Sequence, residues 1–344
     1  LISNKKISVA LAAGNTVVVK PPPPAPCSIL EMADILREAG LPDGVLNVVP
    51  SSTAGPALTS HPDVVKVDLT GGTETGQKIG ASAGAMVKHY TAELGGNAAV
   101  MVFDDVSSVD NAVNGVTFAA YVASGQTCVS AKRILIQDTI YDEFVDKLVK
   151  KVKSLRLLDP MDMNSHMGPL VHEAALEKVQ QQVDEAVDFG AKVLTGGGKP
   201  SEERCPLTSQ GPWFEPTVLE ISDPKNPAFV EEVFGPCVTV QRFRDEAHAV
   251  QLANDSKYGL GGAVWTQNVA RAHRVARDVE AGVFWVNAHH RNDPSAPWGG
   301  FKESGIGREN GWECFREYTE TKTIVVRMSE EPEDWFGNPD ARYS

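Results

Sequence analysis

The stretch Ser124-Gly125-Gln126-Thr127-Cys128 is a run of small and polar residues that ends in a thiol. Before it, Val116-Thr117-Phe118-Ala119-Ala120-Tyr121 reads as apolar helix. Gly125 breaks that helix, and Cys128 falls where the backbone restarts. A thiol at such a restart meets unpaired backbone N–H groups, which favour thiolate and predict a lowered pKa. The same groups can hold an oxyanion formed when thiolate attacks a carbonyl. Upstream, Glu93-Leu94-Gly95-Gly96 sets a carboxylate beside two glycines that let a substrate or cofactor come close. A nucleophilic thiol and a free carboxylate base together can make and hydrolyse a thioester. The residue types alone equally allow a small buried cysteine and a solvated glutamate before a turn.

The rest of the chain must hold these two groups. Its 344 residues suffice for two domains with separate cores, and 42% hydrophobic content marks it as globular. A net charge of −13 without a long basic run argues against nucleic acid and anionic membrane surfaces as partners. Five cysteines without a framework spacing point to a reducing compartment, and no apolar stretch reaches membrane-spanning length. A cytoplasmic location follows as the expectation.

Strand and helix signals alternate from the start. Ile7 to Ala13 reads as a helix closed by Gly14, and Thr16 to Lys20 as a buried parallel strand. Ser28-Ile29-Leu30-Glu31 has capping-box spacing and predicts a helix that ends at Gly40. Strands are predicted at 45–49 and 64–69, with a short helix at 54–60 between them. Thr70-Gly71-Gly72-Thr73-Glu74-Thr75-Gly76 then leads into a helix to Gly84. Strand, glycine turn and helix N-terminus is a geometry that receives a phosphate, although an ordinary turn has the same letters. A strand at 98–103 leaves this first half, with a boundary near Asn97. Apolar stripes predict helices over 141–155 and 176–190, and a further helix over 269–279. Strands are expected at 191–195, 237–240, 263–266 and 283–287. Thr323-Ile324-Val325-Val326-Arg327 reads as an isolated edge strand, and the acidic segment 329–344 as a surface tail in which Trp335 and Phe336 are candidates to dock on the body.

Four separated motifs occur in one order: Glu93-Leu94-Gly95-Gly96, Gly125-Gln126-Thr127-Cys128, Glu232-Val233-Phe234-Gly235-Pro236, and Pro297-Trp298-Gly299-Gly300-Phe301-Lys302-Glu303-Ser304-Gly305. From Leu1 to about Arg327 the chain resembles the aldehyde dehydrogenase superfamily. The resemblance implies an α/β fold. An incomplete Rossmann-type cofactor domain (1–97) would join an α/β catalytic thiol domain (98–318), followed by an oligomerisation strand (319–328) and the tail. It implies Cys128 as nucleophile and Glu93 as the base that activates water. On the cofactor side it implies Lys20 at the adenosine ribose, Gly71, Gly72, Gly76 and Leu94 around the pyrophosphate turn, Glu232 on the nicotinamide ribose, and Phe234 against the nicotinamide ring. The cofactor implied is NAD, with NADP as the alternative, because Pro23 stands where the family often has a ribose-gripping acid. His289, His290 and Arg291 border the implied aldehyde tunnel, and Arg291 would favour a carboxylated or polar aldehyde. No third ligand stands near the two histidines at metal spacing, so no metal is expected. A homo-oligomer, dimer or tetramer, is implied.

The chain begins at Leu1, past a piece that supplies the family with an oxyanion-holding asparagine. It therefore reads as an N-terminally truncated member or a fragment. The alternative function is a catalytically silent homologue that associates with an intact subunit. A cysteine hydrolase would need a histidine close to the thiol, and His89 is the one near Glu93 in sequence.

Overall fold

The computed structural model describes residues 2–328 and 336–337. Its larger part is a seven-stranded sheet whose order follows buried, β-branched segments. From one edge to the other these are Val283–Val286, Gly261–Trp265, Ala98–Val102, Ala131–Gln137, Cys237–Phe243, Thr217–Glu220 and Lys192–Thr195. All neighbours are parallel except the last pair. Period-two alternation sends successive side chains to opposite faces. Val100, Val102, Ile134, Ile136, Val238 and Val240 pack with the helices Val109–Tyr121 and Tyr141–Lys153. Ala99, Met101, Leu135, Leu219 and Val264 pack on the other face with the helices Glu173–Asp188, Glu246–Asn254 and Val269–Asp278. Coverage of both faces is the physical reason these segments are mostly apolar.

The first ninety-seven residues form smaller sheets. Val17–Val19 pairs in parallel with Leu46–Val48. Lys66–Thr70 pairs in parallel with His89–Glu93, which on its other side takes the antiparallel strand Gly305–Ile306. The last part of the chain thus returns to the strand that carries Glu93.

Three expectations change. The strand at 17–19 is parallel but half-exposed, with Val18 46% accessible. The capping box at Ser28 does not form: the helix Cys27–Glu38 starts earlier, behind Pro26, with no side-chain cap. Residues 323–327 form no strand and pair with no strand among the described residues, and Ile324, Val325 and Val326 are exposed. Trp335 lies outside the described residues, and Phe336 is exposed. No helix is long and apolar enough to cross a membrane among the described residues.

Candidate active site

The helix Val109–Tyr121 is capped by Ser108, whose side chain accepts from the Asn111 N–H, and it ends one turn before the thiol. Ala123, Ser124 and Gly125 then all adopt positive φ (52°, 56° and 67°), which turns the chain sharply. At Gly125 a Cβ would overlap the Gly235 carbonyl, so this position needs glycine for space as well as for conformation. Hydrogen bonds then hold the loop from several sides. Ser124 Oγ donates to the Gly168 carbonyl at 2.8 Å, and Gln126 Oε1 accepts from the Val171 N–H at 3.1 Å. Lys132, itself 3% exposed, donates to the carbonyls of Gly125 at 2.7 Å and Gly235 at 2.6 Å. It ties the cysteine loop to the loop that carries Glu232 and Phe234, and burial lowers its pKa to about 8. His289 Nε2 meets the Val129 carbonyl at 2.7 Å. Gly96 closes the other side: a Cβ there would overlap the Cys128 carbonyl.

The thiol is not the stabilised thiolate that its place in the sequence predicts. Burial, with the carboxylates of Glu93 and Glu232 nearby, pushes Cys128 up to about 12. The segment that follows Cys128 is the strand Ala131–Gln137 and not a helix, so no helix N-terminus offsets the desolvation. Its own N–H, which opposes the shift, is left for a developing negative charge.

Glu93 ends the strand His89–Glu93 at 3% exposure, and neither carboxyl oxygen has a partner. Burial first, and the charge of Glu309 second, raise it to about 8. Lys6 opposes this shift while ion-paired to Asp68 and Glu309. A carboxyl poised near 8 in a dry place serves as a general base near neutral pH.

On the far side of Glu93, Gly72 caps the thirteen-residue helix Thr73–Ala85 in extended conformation, and nothing lies within 4 Å of where its Cβ would be. Gly71 N–H donates to the Glu93 carbonyl at 3.0 Å, and Leu94 packs on Gly76 so closely that a Cβ there would overlap it. The hydroxyls of Thr70 and Thr73 are buried without partners. An open helix N-terminus with two orphaned hydroxyls fits a pyrophosphate. Glu232 Oε1 accepts from the Gly96 N–H at 3.0 Å, and Phe234 is 41% exposed, free to meet a flat ring. Burial raises Glu232 above the ordinary carboxylate range, opposed by the Gly96 N–H and by the charges of Lys132 and Lys178. Lys20 stands apart on the two-stranded unit with Nζ on the Pro21 carbonyl at 3.0 Å, and Pro23 is exposed.

The histidine loop turns inward rather than into solvent. His289 is 4% exposed and packs tilted against Trp285 with ring centroids 4.5 Å apart, and burial lowers it to about 4. His290 Nε2 meets the Ala119 carbonyl at 3.1 Å, its ring lies edge-on to Phe118, and its pKa is also lowered by burial. Both rings are bonded to carbonyls and neutral, so neither is a base for the thiol. Arg291 contributes its carbonyl to the Trp285 N–H at 2.9 Å, and its side chain is exposed. No group of three metal-ligating side chains exists among the described residues.

The structure therefore gathers Cys128, Glu93, Gly96, Glu232, His289 and His290 around one centre and leaves the Arg291 side chain outside it. Lys132 joins the site without having been singled out. The one signal for Lys132 was a charged residue opening a β-branched run.

The family model described as "Aldehyde dehydrogenase family" matches residues 1–324. A betaine aldehyde dehydrogenase of Sinorhizobium fredii is 40% identical over 321 residues, covering 93% of this chain and 65% of that protein. A peroxisomal aminoaldehyde dehydrogenase of Pisum sativum is 38% identical over 341 residues, covering 98% and 67%. The crystal structure of a betaine aldehyde dehydrogenase from Staphylococcus aureus in complex with NAD+ superposes with a TM-score of 0.94 at 36% identity, covering 98% of this chain and 66% of that one. The chain thus spans about two thirds of the length of these relatives. With the thiol loop, the buried carboxylate and the glycine turn in one arrangement, the chain belongs to the aldehyde dehydrogenase family.

Proposed function

We propose that the chain carries out NAD-dependent oxidation of an aldehyde to a carboxylic acid. The observation that carries this reading is Glu93, buried with both carboxyl oxygens unpartnered beside Cys128. Cys128 Sγ bonds to the aldehyde carbon as the carbonyl π bond breaks and the thiol proton passes to the carbonyl oxygen, giving a thiohemiacetal whose oxygen lies near the Cys128 N–H and which gives up that proton as hydride leaves. The nicotinamide ring, when bound, supplies the acceptor for the hydride that leaves this carbon. Glu232 and Phe234 orient that ring's end of the cofactor, and Gly72 with the helix behind it holds the phosphates. The thioester left on Cys128 is opened by water from which Glu93 takes a proton. Water adds to the acyl carbon, the C–S bond breaks, the acid leaves, and the proton held on Glu93 returns to Sγ to restore the thiol.

Lys20 without an acid at Pro23 supports loose cofactor choice, with NAD modestly preferred over NADP. A preference beyond about a thousandfold would mean that another acid takes the missing role. The relatives' names bring betaine aldehyde and aminoaldehydes into consideration as substrates. The division at Asn97, pairing of residues 323–327 with a second copy, and a reducing compartment such as the cytoplasm are part of the same proposal. The exposed apolar side chains of 324–326 support the second, and five free cysteines support the third. The test is to mix the protein with aldehyde and NAD, quench early, and map acyl adducts by mass spectrometry. Acyl groups on Cys128 are expected. Turnover with no adduct at Cys128, or adducts on another cysteine, would sink the mechanism.

A further inference from the structure

Lys5 and Lys6 are neighbours on the helix Ile2–Ala12 and meet opposite surroundings. Lys6 is ion-paired to Asp68 and Glu309. Lys5 instead lies over the Trp298 ring, 4.3 Å from its centroid, and no ion pair among the described residues includes it. Trp298 is 8% exposed and meets Trp285 edge-on at 6.1 Å. Trp285 packs tilted against His289, which holds the carbonyl of Val129, the residue after Cys128. This aromatic chain places Lys5 at the aldehyde end of the site, and its charge acts on both Cys128 and Glu93.

The other titratable groups there do not neutralise it. His289 and His290 are uncharged, Arg291 adds a positive charge at the exposed rim, and Glu93 is raised to about 8 and so carries its proton at neutral pH. Glu309 is bound to Lys6, and Glu232 lies on the cofactor side against Gly96.

We propose that Lys5 is a specificity-determining residue and that the substrate is an aldehyde bearing a carboxylate at the end remote from the carbonyl. This rests on the aldehyde oxidation proposed at Cys128. An anionic end finds an ammonium that no described carboxylate pairs. A cationic end meets like charge there, and the Trp298 face that would receive it already holds the chain's own ammonium. The site thereby disfavours cationic aldehydes such as betaine aldehyde.

The test compares kcat/KM for 4-oxobutanoate, butanal and 4-aminobutanal, which share a chain length and differ in terminal charge. The intact protein should prefer the anion over the cation by roughly tenfold or more, with a gap that narrows as salt is added. Lys5→Met should level the series, and Lys5→Glu should reverse it. Protection of Cys128 from iodoacetamide by butanedioate, against butylammonium, gives a second readout that needs no turnover. Preferential protection by the dianion that vanishes in Lys5→Met supports the inference even if no aldehyde is oxidised, in which case the proposed activity alone falls. Equal or greater preference for the cation in the wild-type protein, in either assay, overturns it. So does a preference for the anion that Lys5→Met leaves intact.

Discussion

The two ends of the site are built differently. Around Cys128 the backbone is packed to contact: Gly96 lies on the Cys128 carbonyl, Gly125 on Gly235, and Lys132 and His289 pin carbonyls on either side. At the phosphate-facing turn, nothing stands within 4 Å of the space beyond Gly72. The chemical end is assembled before any ligand arrives, whereas the phosphate-facing turn at Gly72 is left open. Catalysis depends on sub-ångström placement of reacting atoms, and phosphate binding by a helix terminus does not.

Substitutions can break that contrast. Cys128→Ala should abolish oxidation outright, with no burst and no slow residual rate in a direct assay of reduced cofactor. The glycines offer the sharpest comparison, because the same methyl group is added at each end. Gly96→Ala should lower kcat by at least about a hundredfold and destabilise the fold by about 1–3 kcal/mol, since backbone must move. Gly72→Ala should leave the melting temperature and kcat nearly unchanged. Similar effects at the two positions would show that the cofactor end is as tightly built as the thiol end. Glu93→Gln should keep a rapid burst of reduced cofactor and lose about 10²- to 10⁴-fold in steady turnover. Stopped-flow measurement with no burst, cofactor still bound, would remove Glu93 from the hydrolytic step. In the wild-type protein, steady turnover should rise with pH and level off above about 8, as the raised Glu93 carboxyl loses its proton. Lys132→Met should lower kcat by only about tenfold with the KM for aldehyde unchanged, because it loosens two loops and removes no reacting group.

The same contrast explains what was legible in the letters. Motifs whose glycines make close contacts stand out, so the Cys128 loop, Glu93, Gly95 and Gly96 could be read directly. The central strand Ala131–Gln137 could not: Lys132 and Arg133 open it, and charged residues argue against a buried strand. Only in three dimensions do the carbonyls of Gly125, Gly235, Asn97, Leu252 and Ala253 satisfy them. The strand His89–Glu93 was hidden in the same way by its exposed polar start. The acidity of Cys128 was misjudged because its burial and the nearby carboxylates of Glu93 and Glu232, which raise it, arise only in the fold.

The unpartnered Glu93 carboxyl also shapes the stability of the whole protein. Its pKa is near 4.5 in an unfolded chain and about 8 in the fold, so folding takes up a proton between those values. The group favours the fold fully below about pH 4.5, and that contribution is lost as pH rises towards 8. The pH at which the base is ready to work is thus the pH at which holding it buried is least favourable. A glutamine at this position does not titrate. Glu93→Gln should therefore melt progressively higher than the wild-type protein as scanning calorimetry moves from pH 5 to pH 8, and the inactive protein should outlast the active one.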